Sequence, residues 1–196
     1  MKIPKLGSDI PTFGNSLSRK IGYMILRSMR WRIEGEIPNL KKMVIIGAPH
    51  TTNWDFVIGM SALMALGVRV HWIGKDTIFK WPVKYVWHWL GGEPVDRFHA
   101  HGVVEQIIQK FSAHDQFILG LSPEGTRRDI PKWRSGFYHV SVGAGVPILL
   151  VAFDFPSKTL RIGELFYPTS NPDSDMLQLT GYFKNFRGKF VKTWQK

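Results

Sequence analysis

The sequence predicts an α/β fold: a central, largely parallel or mixed sheet flanked by helices, with an amphipathic helix at the N-terminus. Three observations carry that prediction. Short apolar runs rich in β-branched residues occur at Met43 to Gly47, Val68 to Gly74, Gln116 to Leu121 and Val146 to Phe153, and read as strands. Segments of helix length separate them, as the crossovers between parallel neighbours require. Polar, chemistry-bearing residues follow two of the runs directly, at the strand ends where such folds gather function.

The elements follow in order. Leu17, Ile21, Met24, Ile25 and Trp31 recur at roughly helical spacing among Arg19, Lys20, Arg27 and Arg30, which makes residues 1–35 an amphipathic segment suited to docking on a membrane. After the first strand, Thr51, Thr52 and Asn53 are residue types that cap a helix start. Lys75-Asp76 turns the second strand into a helical stretch from Ile78 to Leu90, dense in Trp81, Tyr85, Trp87 and Trp89. Those rings suit an acyl-chain groove, a membrane interface or plain core packing. Gly91-Gly92 breaks the helix, and Pro94 to Arg97 opens another that runs to about Phe111. Trp133 to Gly145 reads as a helix before the last strand, and Pro168 to Asp175 as a loop. Near the end, Tyr182, Phe183, Phe186, Phe190 and Trp194 interleave with basic residues, a second candidate for a membrane-facing helix. With no repeat or linker, the 196 residues are expected to form a single domain.

Composition narrows the chemistry. The chain has no cysteine, which excludes thiolate nucleophiles, disulfides and cysteine-zinc sites. His99 and His101 lack metal-site spacing, so no metal is expected. The net charge of +11 is concentrated at the two ends and fits an anionic membrane surface. Nucleic acid is not expected as a partner, because no recognition motif for it appears. No run reaches the length of a membrane span and no secretory signal opens the chain, which predicts peripheral attachment at the cytoplasmic face of a membrane.

Two strand-to-helix turns carry the candidate site. Pro49-His50-Thr51-Thr52-Asn53-Trp54-Asp55 follows the first strand, so the imidazole of His50 and the carboxyl of Asp55 share one turn. A neutral imidazole takes a proton from a hydroxyl effectively when its other ring nitrogen is oriented by an acceptor, and Asp55 can be that acceptor. Ser122-Pro123-Glu124-Gly125-Thr126-Arg127 follows the third strand and emerges at the same edge if the strands are parallel. Arg127 and Arg128 bring fixed positive charge, suited to a phosphate.

The chain resembles the glycerolipid acyltransferases, the family that includes lysophosphatidic acid acyltransferase. The resemblance lies in four blocks standing in the family's order between residues 43 and 153: His50 with Asp55 as His-x4-Asp, Gly92-Glu93-Pro94-Val95-Asp96-Arg97, Pro123-Glu124-Gly125-Thr126-Arg127, and Val146-Pro147-Ile148. Pro49, Ser122 and Arg128 stand where the family often has Asn, Phe and Ser. The resemblance implies an α/β fold and a role for Arg97 in holding the acceptor's phosphate, although Asp96 beside it offers an ion pair instead. Lys75, at the end of its strand, is a further candidate to meet that phosphate or the reacting carbonyl.

The expected activity is therefore acyl transfer from acyl-carrier protein or acyl-coenzyme A to the free hydroxyl of a lysophospholipid. His50 and Asp55 form the base pair, while Glu124, Gly125, Thr126, Arg127, Arg97 and Lys75 bind substrate, and the backbone around Gly125 meets the oxyanion. The acyl donor is a substrate, and no cofactor is expected. No Gly-x-Ser-x-Gly elbow is present to hold an acyl-enzyme, which favours direct transfer. Two alternatives stay open: an esterase or thioesterase with Ser122 as nucleophile, and a membrane-surface binding protein without catalysis.

Overall fold

The computed structural model describes residues 4, 6–74, 76–94, 102–169 and 171–195. Seven strands form one mixed sheet: β1 (Arg32–Glu34), β2 (Lys42–Ala48), β3 (His71–Gly74), β4 (Gly92–Pro94), β5 (Phe117–Leu121), β6 (Ile148–Asp154) and β7 (Thr159–Phe166). Their order is β1-β7-β6-β2-β5-β3-β4, every neighbouring pair parallel except β6 with β7. The fold is thus α/β, with β2 at the centre. Around the sheet lie α1 (Ser16–Ser28), α2 (Asn53–Leu66), α3 (Lys84–Trp89), α4 (Gly102–Ala113), α5 (Gly136–Ala144) and α6 (Pro172–Phe183).

The pleat of β2 divides the core in two. Val44, Ile46 and Ala48 point to one face, where α4, α5 and α6 pack with Phe111, Phe137, Leu179 and Phe183. Met43 points to the other, joined by Ile58 and Ala62 of α2 and Leu26 of α1. Burial of each of the larger side chains stabilises the fold by about 1.5–3 kcal/mol. Helix α2 is apolar on nearly all sides because it is sandwiched between the sheet and α1. The two helices meet at Gly22, where a Cβ would lie 2.5 Å from the carbonyl oxygen of Ser61 and 2.6 Å from the amide nitrogen of Ala65. A larger residue at Gly22 would force them apart.

Several expectations change. Within residues 1–35, Trp31 just before β1 and Ile33 within it are core residues, and the amphipathic helix is α1. Its stripe is solvent-facing at Leu17, Ile21 and Met24, the last 66% exposed. The second strand is shorter than Val68 to Gly74, since Val68 bridges Thr12 outside the sheet. The expected helix from Ile78 to Leu90 breaks into a 3-10 turn at Asp76–Ile78 and a single short helix, α3, because Pro82 between them has no N–H to donate. The expected helix from Trp133 starts at Gly136, and Trp133 is core. The C-terminal stripe is not a membrane-facing helix. Phe183 ends α6 and is fully buried, and Trp194, in a 3-10 turn at Thr193–Gln195, packs against Trp133 at 5.0 Å between ring centres. Among the described residues no helix is long and apolar enough to cross a membrane.

Candidate active site

The turn after β2 is built by its own polar side chains. Thr52 caps α2, its Oγ1 accepting from the Trp54 amide at 3.2 Å. Asp55 closes the reciprocal half, Oδ2 accepting from the amides of Thr51 at 2.5 Å and Thr52 at 2.7 Å. The same Oδ2 lies 3.2 Å from Nδ1 of His50. Asp55 is 1% exposed and His50 only partly buried, so a fixed carboxylate backs an accessible imidazole. The sequence pattern placed these two residues together, and the structure does the same.

The second turn supports the first from behind. Because β2 and β5 are parallel and register Ile46 against Leu121, the segment from Ser122 to Arg127 leaves the sheet beside His50. Glu124 is 0% exposed, and its Oε1 accepts the backbone N–H of His50 at 2.6 Å. Glu124, expected to bind substrate, is buried here and holds the His50 backbone. Gly125 sits at φ +62°, a conformation that favours glycine, and its N–H donates to Ser122 O at 3.0 Å. The Gly125 amide is therefore committed to the turn, not available to an oxyanion. Thr126 Oγ1 accepts from the Arg128 amide at 3.2 Å, and Arg127 and Arg128 are exposed. Arg134 lies against Gly125 and adds a third cation to this rim. Arg97 and Lys75 lie outside the described residues.

A residue that motif reading missed completes the arrangement. Lys192, 3% exposed, donates through Nζ to the carbonyls of Arg127 and Arg128, both at 2.7 Å, and stands 3.3 Å from Oε2 of Glu124. The Lys189 amide donates to Thr51 Oγ1 at 3.1 Å. The C-terminal tail thus grips both turns. Its basic residues signalled only charge, because the contacts span 64 or more residues of sequence.

His50 and Asp55 line one end of an apolar cavity of about 290 Å³ between α2 and the sheet. Phe56, Leu63, Trp72, Leu149, Val151 and Ile162 are among its walls. Gly47, Gly59 and Gly120 also line it, and at Gly59 a Cβ would make only an ordinary contact with Phe153, at 3.6 Å. Ser122 also lines it, but its buried Oγ makes no hydrogen bond among the described residues. The Ser–His link of a hydrolase is therefore not formed here. Among the described residues no group of three or more His, Asp or Glu side chains is placed to hold a metal.

No family model matches the chain. It is 27% identical over 169 residues to 1-acyl-sn-glycerol-3-phosphate acyltransferase of Escherichia coli (strain K12), covering 83% of this chain and 66% of that protein. The protein of the same description from Haemophilus influenzae is 27% identical over 130 residues, 61% of this chain and 52% of its own length. The chain thus spans at most 66% of the length of these relatives. The crystal structure of the 1-acyl-sn-glycerophosphate (LPA) acyltransferase PlsC from Thermotoga maritima shares the fold, with a TM-score of 0.61 at 19% identity over 86% of this chain and 76% of that one.

Proposed function

We propose that this chain, which resembles the 1-acyl-sn-glycerol-3-phosphate acyltransferases in sequence and fold, is an O-acyltransferase that esterifies the free hydroxyl of a lysophospholipid such as lysophosphatidic acid. One observation carries the reading: a His–carboxylate pair, 3.2 Å apart, stands at the end of an apolar cavity and beside a cation-rich turn. An acyl chain fits the cavity, the acceptor's phosphate fits the arginine rim, and His50 stands where the two meet.

In this mechanism, Asp55 accepts a hydrogen bond from the Nδ1–H of His50 and fixes the tautomer, leaving Nε2 to accept the acceptor's hydroxyl proton as that oxygen attacks the thioester carbonyl of acyl-carrier protein or acyl-coenzyme A. Collapse of the tetrahedral intermediate expels the thiolate, which takes the proton back from His50, and the ester remains. Buried Glu124 keeps the imidazole in register through its backbone. Amides beyond Gly125, at Thr126 and Arg127, are the nearest candidates for the oxyanion on this turn, with Arg97 and Lys75 as further phosphate ligands. The site works at the cytoplasmic face of a membrane, with α1 as the docking element. The test is His50→Ala assayed with purified chain, lysophosphatidic acid and each donor in turn, products read by mass spectrometry. Transfer should fall by about 10²–10⁴ while the circular dichroism spectrum stays unchanged. Undiminished product from that variant would end the proposal.

A further inference from the structure

The segment between β3 and β4 has two layers of aromatic rings. The inner one is packed: Phe56 of α2 lies 5.2 Å from Trp72 of β3 and 5.9 Å from Trp87 of α3, and Trp72 lies 5.9 Å from both Trp87 and Phe79. Phe56 and Trp72 are walls of the apolar cavity. The outer layer is left largely open to water by the described residues. Trp81 is 78% and Tyr85 64% exposed, with Ile78, Val83, Val86 and Trp89 exposed around them. Between Thr77 and Gly92 there is no acidic residue, and Lys80 and Lys84 stand among the rings, Lys84 Nζ 5.1 Å over the Tyr85 ring.

We infer that the outer face of residues 78–89 inserts into the headgroup region of an anionic phospholipid bilayer, setting the cavity's aromatic wall against the lipid phase. Indole and phenol rings have an apolar body with a polar edge and prefer that depth, while flanking lysines gain from anionic headgroups. So many large apolar side chains gathered on one water-facing segment mark an interaction surface. The patch is continuous with α1: Trp89 packs on Phe13 at 4.8 Å, and Phe13 lies two residues before the Asn15 cap of that helix. Exposed Leu17, Ile21 and Met24 then extend the surface. Two copies meeting through the segment would set Lys80 and Lys84 of each against like charge, which disfavours self-association. The inference takes its purpose from the acyltransferase reading, but its geometry stands without it.

The chain has no cysteine, so a single introduced thiol can be labelled uniquely. An environment-sensitive fluorophore is placed at Trp81→Cys, at Met24→Cys on α1, and at Leu177→Cys on α6 as a control on the opposite sheet face. Each is mixed with vesicles of phosphatidylcholine alone or with phosphatidylglycerol. The label at position 81 should shift to the blue with the anionic vesicles, and the label at 177 should not. A second arm uses Trp81→Ser combined with Tyr85→Ser. That variant should bind anionic vesicles on the order of tenfold more weakly, since two large rings no longer leave water. Its turnover of a water-soluble short-chain acceptor should be unchanged. Insertion at 24 without insertion at 81 would overturn the platform while leaving docking through α1 intact. A concentration-dependent shift at 81 without vesicles would assign the face to a second copy, and a shift only with an acidic carrier protein would assign it to that donor; either overturns the proposal. Loss of the acyl transfer reading itself would show only in the short-chain assay, as no turnover by the unmodified chain.

Discussion

Glu124 shows how one buried side chain can set the position of another, through the backbone N–H of His50. Burial pushes its carboxyl above the usual carboxylate range, while the His50 N–H donated to it and the Lys192 ammonium 3.3 Å away hold it down. Lys192→Met removes that positive charge, so the carboxyl rises further and takes a proton at a higher pH. A protonated Glu124 is a weaker acceptor for the amide that sets the His50 backbone. The acid limb of kcat/KM should therefore move to higher pH in Lys192→Met, with Lys192→Arg restoring part of the shift; a pH profile on a water-soluble acceptor checks both. A lysine that served only packing would lower stability and leave the limb where it was. Stability should fall as well, by about 3–5 kcal/mol, because one partner of a buried pair is lost.

At the scale of elements, the edge strand β4 is held by side chains more than by its length. Its Glu93 accepts from Nδ1 of His71 at 3.0 Å and pairs with Lys110 of α4. The His71 hydrogen bond, followed by those Lys110 contributes, outweighs burial and brings the carboxyl from 4.5 to about 2. A lowered carboxyl adds stability that is full above 4.5 and disappears as pH falls through about 2. Urea unfolding of Glu93→Gln should thus show a deficit at neutral pH that closes across that window. A deficit that persisted at the acid end would detach the strand's stability from this ionisation. On α2, Gly59 faces the cavity, and a Cβ there would meet Phe153 at 3.6 Å, an ordinary contact. Gly59→Val should leave the fold intact and shift product esters toward shorter acyl chains, read by mass spectrometry with a donor series.

The same elements explain what could be read in advance. The β2 turn and the start of α2 were legible because strand, cap and Asp55 all lie within one local stretch. Strands β1 and β4 are three residues each, and β4 contains proline, so no periodicity announces them. The tail misled for a different reason: aromatic spacing reports that a face is apolar but not what will cover it, and here the core took Phe183 and Trp194 while the site took Lys192.

For the whole molecule, charge and topology give one orientation. The +11 chain places α1 and α2 on the sheet face that holds the cavity, with α4, α5 and α6 on the other. The exposed stripe of α1 and the outer rings of residues 78–89 are linked through the Phe13–Trp89 contact, so one membrane contact would serve both. Two forces of different range would act in such a contact. Attraction between basic residues and anionic lipid is screened over a Debye length that falls from about 10 Å at 0.1 M salt to about 3 Å at 1 M. Burial of Trp81, Tyr85 and Met24 in lipid would not be screened. Sedimentation with anionic vesicles should therefore decline with salt but level off at the binding measured on neutral vesicles. Turnover of vesicle-borne lysophospholipid should follow the bound fraction, and turnover of a short-chain acceptor in free solution should not. Complete release at high salt would mean that the aromatic and aliphatic surface stays in water, and that charge alone brings the protein to lipid.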